Sequence, residues 1–104
     1  MIVLGIDPGS QITGFGIIKS DNASHYKLIH YGCIRLTDRD FFRRLKSIHE
    51  QIGDLINEYS PDTVALEDIF FQRNIKSALQ LGQARGAAII AALYHDKTIY
   101  SYGL

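Results

Sequence analysis

Asp7 and Glu67 are the residues best placed to do chemistry. Each closes a short apolar segment, Ile2 to Ile6 in one case and Thr63 to Leu66 in the other. If the two segments are neighbouring strands, the acids share one end of a sheet at a spacing of roughly 4.8 Å. Two carboxylates that close repel unless a cation sits between them. Hard divalent ions that take oxygen ligands, Mg²⁺ or Mn²⁺, suit such a pair. Asp7-Pro8-Gly9 also reads as an ordinary turn, because all three residue types favour turns. The second acid favours the metal site.

The elements needed to position those acids can be read from apolar spacing and chain breakers. Ile2 to Ile6 predicts a buried strand, ended by Pro8 and Gly9. Thr13 to Ser20 predicts a second strand, in which Gly14 and Gly16 allow close backbone packing. After a turn at Asp21-Asn22-Ala23-Ser24, Tyr26 to Arg35 alternates as a third strand. Asp40 suits the N-cap of a helix running to Tyr59. Its apolar stripe is Phe41, Leu45, Ile48, Ile52, Leu55, Ile56 and Tyr59. Ser60-Pro61-Asp62 breaks it, and Thr63 to Glu67 is a short buried strand. A second helix starts at Asn74 or Ser77 and reaches Tyr94, and Thr98 to Tyr102 is a last strand. The order is βββαβαβ, an antiparallel meander followed by strands that helical crossovers allow to pair in parallel.

Composition narrows the class. The 104 residues fit one domain, and 46% apolar content is enough for a core. The single Cys33 has no internal disulfide partner and reads as a small core residue in a reducing cytosol. Met1 to Ile6 lacks the basic leader of a signal peptide, and the Gly86 to Tyr94 segment is too short to span a bilayer, so no membrane partner is expected. The four histidines share no spacing that suggests zinc.

Eleven basic and eleven acidic residues cancel, so only their distribution informs. Ile69 to His95 contains no acid, while Arg73, Lys76 and Arg85 are basic. Such a patch beside a carboxylate site suits a polyanionic substrate, although solvated helix surface explains some of it. The Arg35 to Lys46 group reads as solvated surface. In the second helix, Gly82 and Gly86 each cost about 1 kcal/mol against alanine. They imply close packing, onto the sheet along one face and onto a partner along another.

The chain resembles the RuvC-type Holliday-junction resolvases, bacterial endonucleases with a ribonuclease H-like fold. The resemblance is carried by Gly5-Ile-Asp-Pro-Gly-Ser-Gln-Ile-Thr-Gly-Phe-Gly16, Tyr31-Gly-Cys-Ile-Arg35, Ala65-Leu-Glu-Asp-Ile-Phe70, Asn74 and Ser77-Ala-Leu-Gln-Leu-Gly-Gln-Ala-Arg-Gly86. It implies an α/β fold with a mixed five-stranded sheet, residues 1–104 forming a nuclease domain incomplete at its C-terminus. It also implies a cytoplasmic homodimer that nicks four-way junction DNA beside a branch-migration helicase. Asp7 and Glu67 match metal-binding and catalytic acids, with two ions implied for a complete site. Phe70 matches an aromatic near junction DNA, and the basic Arg73, Lys76 and Arg85 suit phosphate contacts. Leu81, Gly82, Arg85, Gly86 and Ile89 lie on the element matching the dimer interface.

Members of the family continue past this length, with further metal-binding acids in a C-terminal helix. Asp96 lies in the wrong element to replace them. A chain of this length by itself is therefore expected to be inactive on junctions and poorly soluble. Two rival readings are an actin-like nucleotide-binding domain, with Asp7 to Gly14 cradling phosphates, and a non-catalytic DNA-binding or dimerising remnant.

Overall fold

The computed structural model describes residues 1–22, 25–68 and 74–103. Its elements are β1 (Ile2–Asp7), β2 (Ile12–Asn22), β3 (His25–Arg35), α1 (Phe41–Tyr59), β4 (Thr63–Glu67), α2 (Ile75–Tyr94) and β5 (Thr98–Tyr102). The strands form one sheet in the order β3-β2-β1-β4-β5. β1, β2 and β3 pair antiparallel, and β4 joins β1 and β5 in parallel. The βββαβαβ order predicted from the sequence is the one observed. β2 is longer than its apolar pattern because pairing with β3 continues through register shifts at Ile17/Ile18 and Ser20/Asn22.

Local chemistry sets the helix ends. The Asp40 side chain accepts from the Phe42 amide at 3.0 Å, satisfying a donor in the first turn of α1. Ser60 ends that helix in the left-handed region at φ 45°, donating its amide to the Ile56 carbonyl. The start of α2 resolves to Asn74, whose Oδ1 accepts from the Ser77 amide at 2.8 Å.

Both helices pack on one face of the sheet. Leu4 and Ile6 of β1, Ile17 of β2, and Val64 and Leu66 of β4 meet Ile48, Ile52 and Ile56 of α1. Four alanines of α2, Ala84, Ala88, Ala91 and Ala92, complete this core and are almost wholly buried. Methyl groups as small as these let the helix lie close to the strands. Each buried isoleucine or leucine contributes about 1.5–3 kcal/mol relative to exposure. Cys33 departs from its expected core position: it is exposed, paired with Gly14 on the opposite face.

Polar contacts fix the strand register. The Ile2 amide donates to Asp62 Oδ2 at 2.7 Å, and the Asp62 amide returns a bond to the Ile2 carbonyl at 2.8 Å. Thr63 Oγ1 donates to the Thr98 carbonyl at 3.0 Å, and the Thr98 hydroxyl donates to Thr63 Oγ1 at 2.9 Å.

The loop after β1 is braced from within. Thr13 is fully buried; its hydroxyl donates to the Gly9 carbonyl at 3.1 Å and accepts from the Gly9 amide at 3.2 Å. A Cβ at Gly9 would run into the Ile12 carbonyl, so the loop closes only around glycine. Thr13 therefore holds backbone rather than reaching for phosphate. Thr13→Val keeps the side-chain shape and leaves both Gly9 groups without that partner. Stability should fall by on the order of 1 kcal/mol, read by denaturant unfolding; an unchanged midpoint would show that the brace contributes nothing.

Candidate active site

Side chains alternate across a strand. With Leu4 and Ile6 turned to the helices, Gly5 and Asp7 face the other way. The parallel register pairs Ile6 with Leu66, so one residue further Asp7 comes beside Glu67 on the same face. Glu67 in turn pairs with Tyr102 of β5, and Asp7 with Gly14 of β2. Asp7 is exposed and Glu67 half-buried. Two acids distant in sequence thus share one end of the sheet.

Their electrostatics reflect that closeness. The Glu67 carboxyl titrates above its ordinary value of 4.5. The largest cause is a side-chain hydrogen bond with Asp7 that needs a proton, followed by burial and then the charge of Asp7. Tyr102 is likewise pushed up, by burial first and then by the charges of Glu67 and Asp7.

An open cleft of about 340 Å³ runs beside Asp7, lined also by Gly5, Gly14, Gly16 and Tyr102. A Cβ at Gly14 would sit 3.7 Å from Asp7 Cβ, one at Gly5 would sit 3.8 Å from the Gly16 carbonyl, and one at Gly16 would sit 4.0 Å from Leu28 Cδ1. These are ordinary contacts, so packing does not demand glycine at the three positions, contrary to the expectation for Gly14 and Gly16. Their effect is to leave bare backbone beside the acids.

A divalent cation fits this donor set. Carboxylate oxygens suit Mg²⁺ or Mn²⁺, and Mg²⁺ commonly takes only one or two carboxylates together with water and substrate phosphate. Among the described residues no group of three or more His, Cys, Asp or Glu gathers. Asp7 and Glu67 are the side chains that could hold such an ion.

The remaining predicted residues divide. Phe70 and Arg73 lie outside the described residues. Lys76 is exposed in the first turn of α2. Arg85 is turned inward, its Nη2 engaged within the fold. Its Nη2 donates to Ser101 Oγ at 2.8 Å and pairs with Asp68 Oδ1 at 3.4 Å, with the side chain 22% exposed. The nearest acid and hydroxyl claim the guanidinium, which ties α2 to the tips of β4 and β5. Asp68, directly after β4, is the other half of that tie. Its place directly after Glu67 was the available signal, since strand alternation turns it to the opposite face.

On α2, Ile89 packs against the core and Leu81 is half-buried. Gly82 and Gly86 meet nothing within 4 Å, so the fold itself does not explain them. The outer stripe missed in the sequence is Ile75, Leu79, Ile90 and Leu93, all more than half exposed and in helical register with the two glycines. Beside it, a mostly apolar groove between the helices is lined by Leu45, His49, Gly86 and Ile90.

Known proteins share this architecture. The fold is ribonuclease H-like: T. thermophilus RuvC in complex with a Holliday junction substrate superimposes with a TM-score of 0.90 at 30% identity, covering 100% of this chain and 66% of that one. The yeast mitochondrial Holliday junction resolvase Ydc2 matches at a TM-score of 0.66 and 12% identity, over 98% of this chain and 52% of that one, a likeness of fold alone. The family model described as crossover junction endodeoxyribonuclease RuvC matches residues 3–103. A crossover junction endodeoxyribonuclease RuvC from Vibrio vulnificus (strain YJ016) is 46% identical over 101 residues, as is one from Pseudoalteromonas translucida (strain TAC 125). Each alignment covers 97% of this chain and 58% of the relative. The chain belongs to the crossover junction endodeoxyribonuclease RuvC family, and it spans 58% of the length of these relatives. The actin-like reading is not favoured. No described helix is long and apolar enough to cross a membrane.

The raised Glu67 titration has a testable sign. The folded state binds this proton more tightly than the unfolded chain does. The resulting stabilisation is therefore present at low pH and is lost as pH rises through the folded value. Without divalent ions, Glu67→Gln should melt higher than the parent at pH 7 and lose that advantage near pH 4. Adding Mg²⁺ at pH 7 should raise the parent more than the variant. Equal melting temperatures at both pH values would mean the two acids do not interact.

Proposed function

We propose that the protein carrying this chain is a structure-selective endonuclease that resolves four-way DNA junctions by paired nicks, in DNA recombination and repair. The observation that carries this reading is the meeting of Asp7 and Glu67 at adjacent strand tips, on an open face beside bare glycine backbone. Membership of the family and the likeness to a resolvase bound to a junction support it.

Asp7 and Glu67 would hold Mg²⁺, with Mn²⁺ as a substitute, and two ions in a complete site. When bound, such ions ready a water for in-line attack and stabilise the departing 3′-oxygen. The chain's own part is positional. The Thr13–Gly9 brace holds the loop behind Asp7, and the Arg85–Asp68–Ser101 tie holds the strand tip behind Glu67. The glycine floor lets a phosphodiester backbone approach. Lys76 and Arg73 would meet phosphate, and Phe70 would stack on an unpaired base, a contact worth about 1–3 kcal/mol.

Symmetric cutting calls for two sites, and the Ile75–Leu93 stripe, with Gly82 and Gly86 open along it, suits a second copy of the chain. A branch-migration helicase complex is the further partner in this reading, which places the protein in the bacterial cytoplasm. For the interface, Ile90→Asp should shift the complete protein from dimer to monomer in sedimentation; an unshifted dimer would exclude this stripe.

For the chemistry, Glu67→Gln in the complete protein should lower Mg²⁺-dependent junction cleavage by more than about a hundredfold. That exceeds the roughly 10–100-fold cost of losing a residue that merely orients a metal ligand. Junction binding in a gel-shift assay should be kept. Cutting at the parent rate would remove Glu67 from the site.

A further inference from the structure

We propose that Tyr102 contacts the substrate, its phenolic hydroxyl donating a hydrogen bond to a non-bridging oxygen of the phosphodiester held at Asp7 and Glu67. The inference rests on the endonuclease reading and adds a neutral donor to a site otherwise made of acids.

Strand geometry sets the position. β5 continues the parallel register of β4, so Tyr102 lies directly beside Glu67. Its neighbour Ser101 turns to the helix side, where Arg85 holds it at 2.8 Å. Alternation then puts Tyr102 on the same face as both acids. β5 and β1 are two strand spacings apart, roughly 10 Å. Tyr102 nevertheless lines the same cleft as Gly5, Asp7 and Gly14, so its ring reaches inward over β4. Ala65 and Gly5, cross-strand partners along that path, have no bulk to block it.

Tyr102 is 39% exposed, and its hydroxyl makes no hydrogen bond among the described residues. It opens onto a cleft lined by glycine backbone, Phe15, Ile18 and Asp7, with Glu67 paired beside Tyr102 on β4. A phosphodiester offers acceptor oxygens and no donors, so a phenol complements it. Being neutral, the phenol does so without displacing the cation that the acids bind.

The test compares parent, Tyr102→Phe and Tyr100→Phe in the complete protein. Tyr100 serves as the control because it lies on the same face, 51% exposed and outside the cleft lining. Single-turnover cleavage of a synthetic four-way junction in Mg²⁺, junction affinity and melting temperature are measured for each. Tyr102→Phe should cut roughly tenfold more slowly, as expected for loss of a hydrogen bond to a charged group. Its affinity and melting temperature should stay at parent values, and Tyr100→Phe should match the parent throughout. Parent-rate cutting by Tyr102→Phe would overturn the inference alone, as would a slowing accompanied by a matching fall in melting temperature. A parent protein that binds junctions without cutting them would remove the endonuclease reading and this inference together.

Discussion

The parallel register between β1 and β4 is the constraint on which the cleft depends. A slip of one residue would send Glu67 to the helix side and bring Leu66 out beside Asp7. Two independent devices prevent it. Leu4, Ile6, Val64 and Leu66 all belong on the helix side, so a slip would expose buried apolar surface. At the opposite end of the pair, Asp62 exchanges two hydrogen bonds with Ile2, while Thr63 and Thr98 fasten the next strand. Apolar burial chooses the face, and polar contacts choose the residue.

That arrangement works against local electrostatics. Glu67 is placed where Asp7 and burial disfavour its ionisation, so its carboxyl titrates above the ordinary value. The fold tolerates the conflict because the opposition lies at the rim, while the stabilising contacts lie in the core behind it. The structure also secures the backbone on either side of the pair. Thr13 fastens Gly9 behind one acid, and Arg85 fastens Asp68 and Ser101 behind the other. A repulsive pair on loosely held strand ends would separate. Held this way, the two carboxylates stay together on the open face.

The fold was largely legible because it follows from local chemistry. Pro8-Gly9 and Ser60-Pro61 break the chain where elements end, Asp40 caps where a helix begins, and the α1 stripe repeats at helical spacing. The pairing of Asp7 with Glu67 followed from the crossover alone. What escaped depends on contacts between residues far apart or on the choice between two faces. The tie made by Arg85 was not legible because nothing in its neighbourhood shows that Ser101 lies within reach. Cys33 looked like core because an edge strand with polar and apolar residues mixed does not declare its inward side. In α2 the small residues were noticed, but alanine and glycine proved to serve opposite faces: Ala84, Ala88, Ala91 and Ala92 inward, Gly82 and Gly86 outward.

The alanine line also governs mechanical coupling. A helix seated mainly through methyl groups has few long side chains to flex, so its standoff from the sheet is set largely by backbone and Cβ. Bulk added anywhere along that line would lift the rod as a unit. Arg85 rides on the same rod, so the displacement would be carried to both strand ends it grips. The inner surface of the sheet thereby meters the aim of the carboxylates on its outer surface, from a full layer away.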